Sequence, residues 1–308
     1  MRGLKLSRLS ETSSWVRKRV IEDLNYYARE VWSKGERRFF FDRFQAEFDQ
    51  LMEEITKPEY IVKSISLEEA FIGITAYKLE NQGIKMPLFY VCHPFRGKGY
   101  EHLAMLQLID GFKSLPRVEG IEILLHPFCR FIDDDRFFRS IGFEVQEWVW
   151  MSKSLERSER ITPCSPEIEC EIMSLDEELI PDIARLDIEA RILLESRGND
   201  FDTGVSKICF RDGKIIGFVL ISTSGSEGVV EYLFVSQEFR RRGVGQALLK
   251  ASLKQLQDKG IKSVVAEVNV GNSASISLLR SLDFSLCCRA HLIAEIREIS
   301  NSRKQRAA

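Results

Sequence analysis

The residues best suited to chemistry in this chain lie between Val235 and Leu249, where Arg240, Arg241 and Arg242 are followed by Gly243, Val244, Gly245 and Gln246. An apolar run that reads as a strand (229–235) precedes them. A helical pattern over residues 243–259 follows, with Val244, Leu248 and Leu256 on its apolar side and Gly260 as its stop. Glycines at alternate positions remove Cβ atoms where an anion must approach the backbone, so several N–H groups can point at one phosphate. The helix N-terminus adds unsatisfied donors and the positive end of its dipole. The segment reads as a cradle for a pyrophosphate.

The elements around the cradle are legible in the same way. A short strand (169–173) is followed by a helical pattern in Leu179, Ile183 and Leu186, then by a hairpin (207–210 and 215–223) turning on Asp212-Gly213. After the cradle helix come a strand (263–268), a helix (273–282) and a last strand (284–295), giving the order βαβββαβαβ. The first half repeats this grammar. It offers strands at 4–9, 60–66, 70–79, 85–92, 121–126 and 143–151 and helical stretches at 15–32, 36–55, 99–114 and 134–141. Phe95-Arg96-Gly97-Lys98-Gly99 matches Phe239-Arg240-Arg241-Arg242-Gly243 at an offset of 144, and Ile141-Gly142-Phe143 matches Leu282-Asp283-Phe284 at an offset of 141. Nearly constant offsets point to an internal duplication. The expected organisation is a first domain over 1–151, a polar linker over 152–167, a second domain over 168–296 and a disordered tail over 297–308.

Two motifs carry a family resemblance. Arg240, Gly243 and Gly245 resemble the Q/R-x-x-G-x-G/A signature of the GNAT superfamily of acyl-CoA-dependent acyltransferases, and residues 272–284, with Asn272, Ala274, Leu278 and Phe284, resemble its N-x-x-A-x-x-L-Y-x-x-x-G-F pattern. The resemblance implies a mixed α/β (α+β) fold, here two tandem GNAT-type domains, each a mostly antiparallel mixed sheet flanked by helices. It implies an acetyl-CoA cosubstrate, a splay between the domain's fourth and fifth strands, and pantetheine bound along the fourth strand like an added strand. Phe234 and Val235 would then offer backbone groups, Arg240 to Gln246 would hold the pyrophosphate, and Asn272 would contact the pantetheine. The implied activity is N-acetyl transfer to an amine of a small molecule or protein.

Such a transfer needs a base for the ammonium, donors for the developing oxyanion and an acid for the thiolate. Glu267, in Ala266-Glu267-Val268, resembles the Glu-Val segment of bacterial ribosomal-protein N-terminal acetyltransferases. Glu231 lies on the fourth strand, where other members carry a base. Each could equally be a glutamate on a strand's solvent face, and Glu267 is slightly favoured. The family's thiolate-protonating tyrosine falls at Leu279, which has no proton to give, and the glycine before Phe284 is Asp283, which tolerates a left-handed turn. A thiol of pKa roughly 8.5 is a fair leaving group without help. The alternative function is a non-catalytic acyl-CoA-binding sensor or interaction protein, and a longer acyl chain is a third possibility.

In the first domain Glu101 stands where the cradle needs a small residue, and Phe138 takes the tyrosine position. That domain is expected to be structural, with one CoA per chain. The 44 basic and 46 acidic side chains nearly cancel, which disfavours nucleic acid or an anionic membrane as partner. Seven cysteines without a C-x-x-C pair read as reduced thiols of a cytoplasmic protein, and four scattered histidines give no metal spacing. Trp15, Tyr26, Tyr27 and Trp32 are candidates to line the acceptor cleft. The acceptor and the oligomeric state stay unassigned.

Overall fold

The computed structural model describes residues 3–8, 18–20, 22–23, 47–81, 83–116, 118–131, 133–156, 161–162, 164, 166–197 and 201–297. Trp15, Tyr26, Tyr27, Trp32 and residues 298–308 of the expected tail lie outside them. Of the two expected N-terminal helices, residues 18–20, 22–23 and 47–54 are helical. The chain divides into two compact units, Met1–Glu147 with Ala290–Ala308, and Trp148–Arg289.

The first unit holds β1 (Leu4–Arg8), β2 (Ile61–Leu67), β3 (Ala70–Glu80), β4 (Gly83–Val91) and β5 (Gly120–Leu125), paired in that order. All neighbours are antiparallel except β4 and β5, whose parallel pairing requires a crossover, supplied by helix α1 (Tyr100–Lys113). Helix α2 (Asp134–Ser140) and strand β6 (Glu144–Ser154) follow. Ile65, Ile74, Leu88, Ile123, Phe128 and Phe138 are fully buried in its core.

Arg130 and Asp134 are buried beside each other, with Nε to Oδ2 at 2.5 Å and Nη2 to Oδ1 at 3.0 Å. The guanidinium also donates to Glu147 Oε1 at 2.7 Å and to the Ala290 carbonyl at 3.0 Å. Removing one side of a buried pair strands the other charge. Arg130→Met is therefore expected to cost about 3 kcal/mol or more, read as a lower denaturant midpoint at unchanged slope.

The second unit begins with the Trp148–Ser154 part of β6 and continues with β7 (Glu171–Ser174), α3 (Ile180–Leu186), α4 (Ile188–Arg197), β8 (Lys207–Arg211), β9 (Lys214–Ser224), β10 (Glu227–Val235), α5 (Val244–Asp258), β11 (Ser263–Asn269) and α6 (Ser273–Ser281). Its strand order is β6-β11-β10-β9-β8-β7. The expected hairpin turn is present between β8 and β9, with Asp212 at φ 50° and Gly213 at φ 71°. One helix more is found than the element order predicts. Helix α4 starts where Asp187 Oδ1 accepts the Ala190 N–H at 2.9 Å; Ala190, Leu193 and Leu194 face the core while Ile188 and Ile192 are exposed, so apolar residues on both sides blur its stripe.

The last strand, β12 (Ser285–Ile296), lies beside β5 with Leu292 opposite Leu125 and Ile296 opposite Ile121. Conversely β11 takes the end of β6, with Ser263 opposite Ser154 and Asn269 opposite Trp148. Each unit is thus completed by the closing strand of the other sequence repeat, and residues 152–154, placed in the linker by the sequence, are strand.

The duplication is visible atom by atom. Arg96 Nε donates to the Val91 carbonyl at 2.6 Å, and Arg240 Nε to the Val235 carbonyl at 2.9 Å. A Cβ on Gly73 would lie 2.3 Å from the Tyr90 carbonyl oxygen, and one on Gly217 2.9 Å from that of Phe234. Both glycines are required by the close approach of the neighbouring strand. Among the described residues no helix is long and apolar enough to cross a membrane.

Candidate functional site

Strand β10 pairs in parallel with β11 only from Glu227 (opposite Ser263) to Val230 (opposite Ala266). Beyond that point β10 stays on β9 through Val235, while β11 stays on β6 through Asn269. The two strands splay, as the family resemblance implies, and the edge of β10 from Tyr232 to Val235 carries backbone groups without a strand partner among the described residues. The splay coincides with a bulge. Val230 faces Ile221 and Tyr232 faces Leu220, so Glu231 is the extra residue.

A single turn of 3-10 helix (Gln237–Phe239) leads into the cradle. Arg240 is extended, at φ −66° and ψ 153°, and its bond to the Val235 carbonyl fixes the exit from β10. Arg241 at φ 63° and Gly243 at φ 79° are left-handed, which turns the chain sharply onto the start of α5. The first intrahelical bond runs from the Ala247 N–H to the Gly243 carbonyl at 2.9 Å. The N–H groups of Val244, Gly245 and Gln246 precede it and are left to point outward at the positive end of the dipole. A Cβ at Gly245 would already meet Leu278 Cδ2 at 3.3 Å and Val235 Cγ2 at 3.6 Å. Glycine keeps this turn open. Behind the loop, the Glu167 N–H donates to the Arg242 carbonyl at 3.1 Å.

The first unit has the same turn, with Gly97 at φ 69° and Gly99 at φ 83°, but its cradle is filled. The Glu101 carboxylate, only 2% exposed, bends back and accepts the Gly97 N–H at 2.7 Å. It stands in for an anion from solution. The residue corresponding to Glu231 is Pro87, which lies where β4 is bulged against β3, between Leu88 (opposite Ala76) and Lys85 (opposite Lys78). The residue corresponding to Glu267 is Leu124. Cradle and carboxylates are missing together there.

The two candidate bases of the second unit share one face of its sheet. Ala266 and Val268 belong to the core beneath α5, so alternation turns Glu267 away from it. Glu231 accepts from Ser222 Oγ at 2.6 Å, and Ser222 follows Leu220 on the face that α3 and α4 cover. Next to it, the Tyr232 hydroxyl lies 2.7 Å from Asp187 Oδ1 and 3.1 Å from Glu189 Oε2. Burial, reinforced by Asp187 and Glu189, raises the Tyr232 phenol above the ordinary tyrosine range, so it stays protonated and keeps donating to these carboxylates. Phe218 stacks between Tyr232 and Phe234 with centroids 6.1 and 5.2 Å away, which makes the floor beside the splay aromatic.

Asn272 caps α6, its Oδ1 accepting the Ser275 N–H at 3.0 Å. Leu279 is buried, at 5% exposure, in the core under α5, so its position in this chain packs rather than donates. Asp283 takes the left-handed turn at φ 64° that its motif position demands. Sequence reasoning passed over Tyr232 and Asp187. The Asp187-to-Ala190 spacing was the available signal, since an aspartate three residues before an amide it caps marks a helix start. Among the described residues no group of three or more His, Cys, Asp or Glu side chains is placed to hold a metal ion.

Comparison with known proteins bears on this geometry. Residues 172–284 match the sequence profile of the acetyltransferase (GNAT) family. Over 75 residues the chain is 29% identical to the ribosomal protein bS18-alanine N-acetyltransferase of Escherichia coli K12, covering 24% of this chain and 51% of that protein. The chain spans about half the length of the curated relatives it matches. A GCN5-related N-acetyltransferase from Sphaerobacter thermophilus superposes at a TM-score of 0.58 over 95% of both chains, with 13% identity. A tandem GNAT protein from the clavulanic acid biosynthesis pathway superposes at 0.55 over 95% of this chain and 98% of its own, with 12% identity. At such identities these two likenesses concern the fold.

Proposed function

We propose that this chain, whose residues 172–284 belong to the acetyltransferase (GNAT) family, is an acetyl-CoA-dependent N-acetyltransferase that works through its second unit on an amine of a small molecule or protein. The observation that carries the reading is the contrast between the cradles. The turn before α5 keeps its helix-terminal N–H groups open behind Gly245, whereas the turn before α1 is closed by the Glu101 carboxylate. Only the first arrangement suits a diphosphate from solution.

The residues fit the cosubstrate in three places. The amides of Val244, Gly245 and Gln246 would take the pyrophosphate, with Arg240, Arg241 and Arg242 adding charge. The open edge of β10, including Phe234 and Val235, would bond the pantetheine. Acetyl-CoA, when bound, would supply the activated thioester carbonyl that the amine attacks. Glu267 or Glu231 then takes a proton from the acceptor ammonium, directly or through a water, since an amine attacks only when neutral. Both glutamates lie on the face from which Tyr232 and the start of α4 are also presented.

The test is release of free CoA from acetyl-CoA with a panel of amines. Glu267→Gln is expected to lower kcat by about 10²-fold or more while leaving KM for acetyl-CoA within a factor of about two. The same result from Glu231→Gln with an inert Glu267→Gln would move the base to β10. One observation favours a second reading, a non-catalytic acyl-CoA-binding protein, because Leu279 is apolar and packed into the core. That reading predicts tight acetyl-CoA binding, no CoA release with any amine, and no effect of either glutamine variant on binding.

A further inference from the structure

The sulfurs of Cys170 and Cys209 lie 3.1 Å apart. Cys209 sits in β8 opposite Ile172, and Cys170 precedes β7 by one residue, so the two are diagonal neighbours on one face of an edge pair of strands. Closing to a disulfide requires the sulfurs to approach by about 1 Å. That is a small adjustment at the start of a four-residue edge strand. Cys209 is fully buried, whereas Cys170 is part-exposed and packs against the rim of the same core. Cys170 is thus the less buried of the two and the one placed to meet an oxidant first.

We propose that Cys170 and Cys209 form a reversible dithiol–disulfide site whose oxidation is felt by the cradle. The coupling path is short. Three residues before Cys170, the Glu167 N–H bonds the Arg242 carbonyl, and the Pro166 Cα lies 3.4 Å from where a Cβ on Gly243 would be. Phe239 of the cradle loop packs on the same core as both cysteines, with the Arg211 guanidinium 5.7 Å over its ring. Drawing Cys170 toward β8 would strain the segment that touches Arg242 and Gly243.

With glutathione disulfide as oxidant, the Cys170 thiolate attacks one of its sulfurs, forming a mixed disulfide and releasing one glutathione thiolate. Cys209 then loses its proton and attacks Cys170 Sγ, releasing the second glutathione. Two protein thiols are oxidised, one glutathione disulfide is reduced, and the two protons pass to the released thiolates through solvent. Burial and the neighbouring Cys170 raise the Cys209 thiol above the ordinary thiol range, which makes the second step the slow one.

The experiment treats the full chain with glutathione disulfide, removes the reagent, and counts thiols in denaturant. The expected fall is from seven to five, with a peptide linking Cys170 to Cys209 and recovery on adding dithiothreitol. Cys209→Ser is expected to stop at a glutathione adduct on Cys170, and Cys170→Ser to keep all its thiols. A count that stays at seven, a stable adduct on Cys170 in the unaltered chain, or a link elsewhere, such as Cys287 to Cys288, overturns the site. The coupling rests on the acetyl-CoA reading: oxidation is expected to raise the acetyl-CoA dissociation constant about threefold or more. An unchanged constant in the linked protein overturns the coupling. Failure of the reduced protein to bind acetyl-CoA would instead overturn the functional reading, and the thiol count would still decide the pair.

Discussion

A Gly245→Glu variant is expected to lose acetyl-CoA affinity by about 100-fold or more, equivalent to about 2.7 kcal/mol, while its thermal midpoint changes by only a few degrees. The substitution copies the first unit, where Glu101 occupies the corresponding position on α1 and accepts the Gly97 N–H at 2.7 Å. In the second unit the corresponding donor is the Arg241 N–H, on a residue with the same left-handed φ. The new carboxylate would take that donor and place a negative charge where the proposed site would hold the diphosphate. Leu278 Cδ2, 3.3 Å from the built Cβ, has to give way, but it is the flexible end of a side chain. Calorimetric titration with acetyl-CoA checks the loss, and a thermal melt separates it from unfolding. Wild-type affinity in this variant would remove the cradle from the functional reading. Gly245→Ala, which adds bulk without charge, is expected to lose less than about tenfold.

The turn before α5 was legible because its left-handed geometry and the close approach at Gly245 demand unusual residues at fixed spacing. Gly243 and Gly245 carry the signal themselves, and Asp283 in its left-handed turn was foreseeable from the motif position it fills. The bulge at Glu231 was not, since an extra residue in a strand leaves the apolar alternation nearly intact on either side. Helix α4 escaped because the exposed Ile188 and Ile192 blur the buried stripe of Ala190, Leu193 and Leu194, leaving the Asp187 cap as the clearer mark. Strand existence was readable over most of the chain, but partnership was not. Alternation tells which face of a strand is buried and is silent on which strand lies next to it. Hence the expected boundaries leave the closing strand of each repeat in its own domain, whereas β6 pairs with β11 and β12 with β5.

This exchange makes a second strong prediction. A fragment of residues 168–296, cut at the boundaries that the repeat suggests, is expected not to fold, whereas the fragment 148–289 is expected to do so. In the first fragment β11 loses β6, which pairs with it along its whole length from Ser263 opposite Ser154 to Asn269 opposite Trp148, and keeps β10 only as far as Ala266. It also loses Met151 and Leu155, which are 2% and 4% exposed in the core beneath α5. Their burial contributes about 1.5–3 kcal/mol each, and an unpaired edge through a hydrophobic strand invites association. A small domain has a total stability of about 5–15 kcal/mol, so the combined loss is comparable with the whole. The longer fragment restores the strand, the Leu155 N–H bond to the Lys262 carbonyl at 2.6 Å and the Lys153–Asp283 ion pair. Near-ultraviolet circular dichroism and amide exchange on β11 distinguish the two: protection of the Val264–Val268 amides in 148–289 and its absence in 168–296 is the expected result. Equal protection in both fragments would show that β11 is held by β10 and the core alone, and that the exchanged strand is dispensable to this unit.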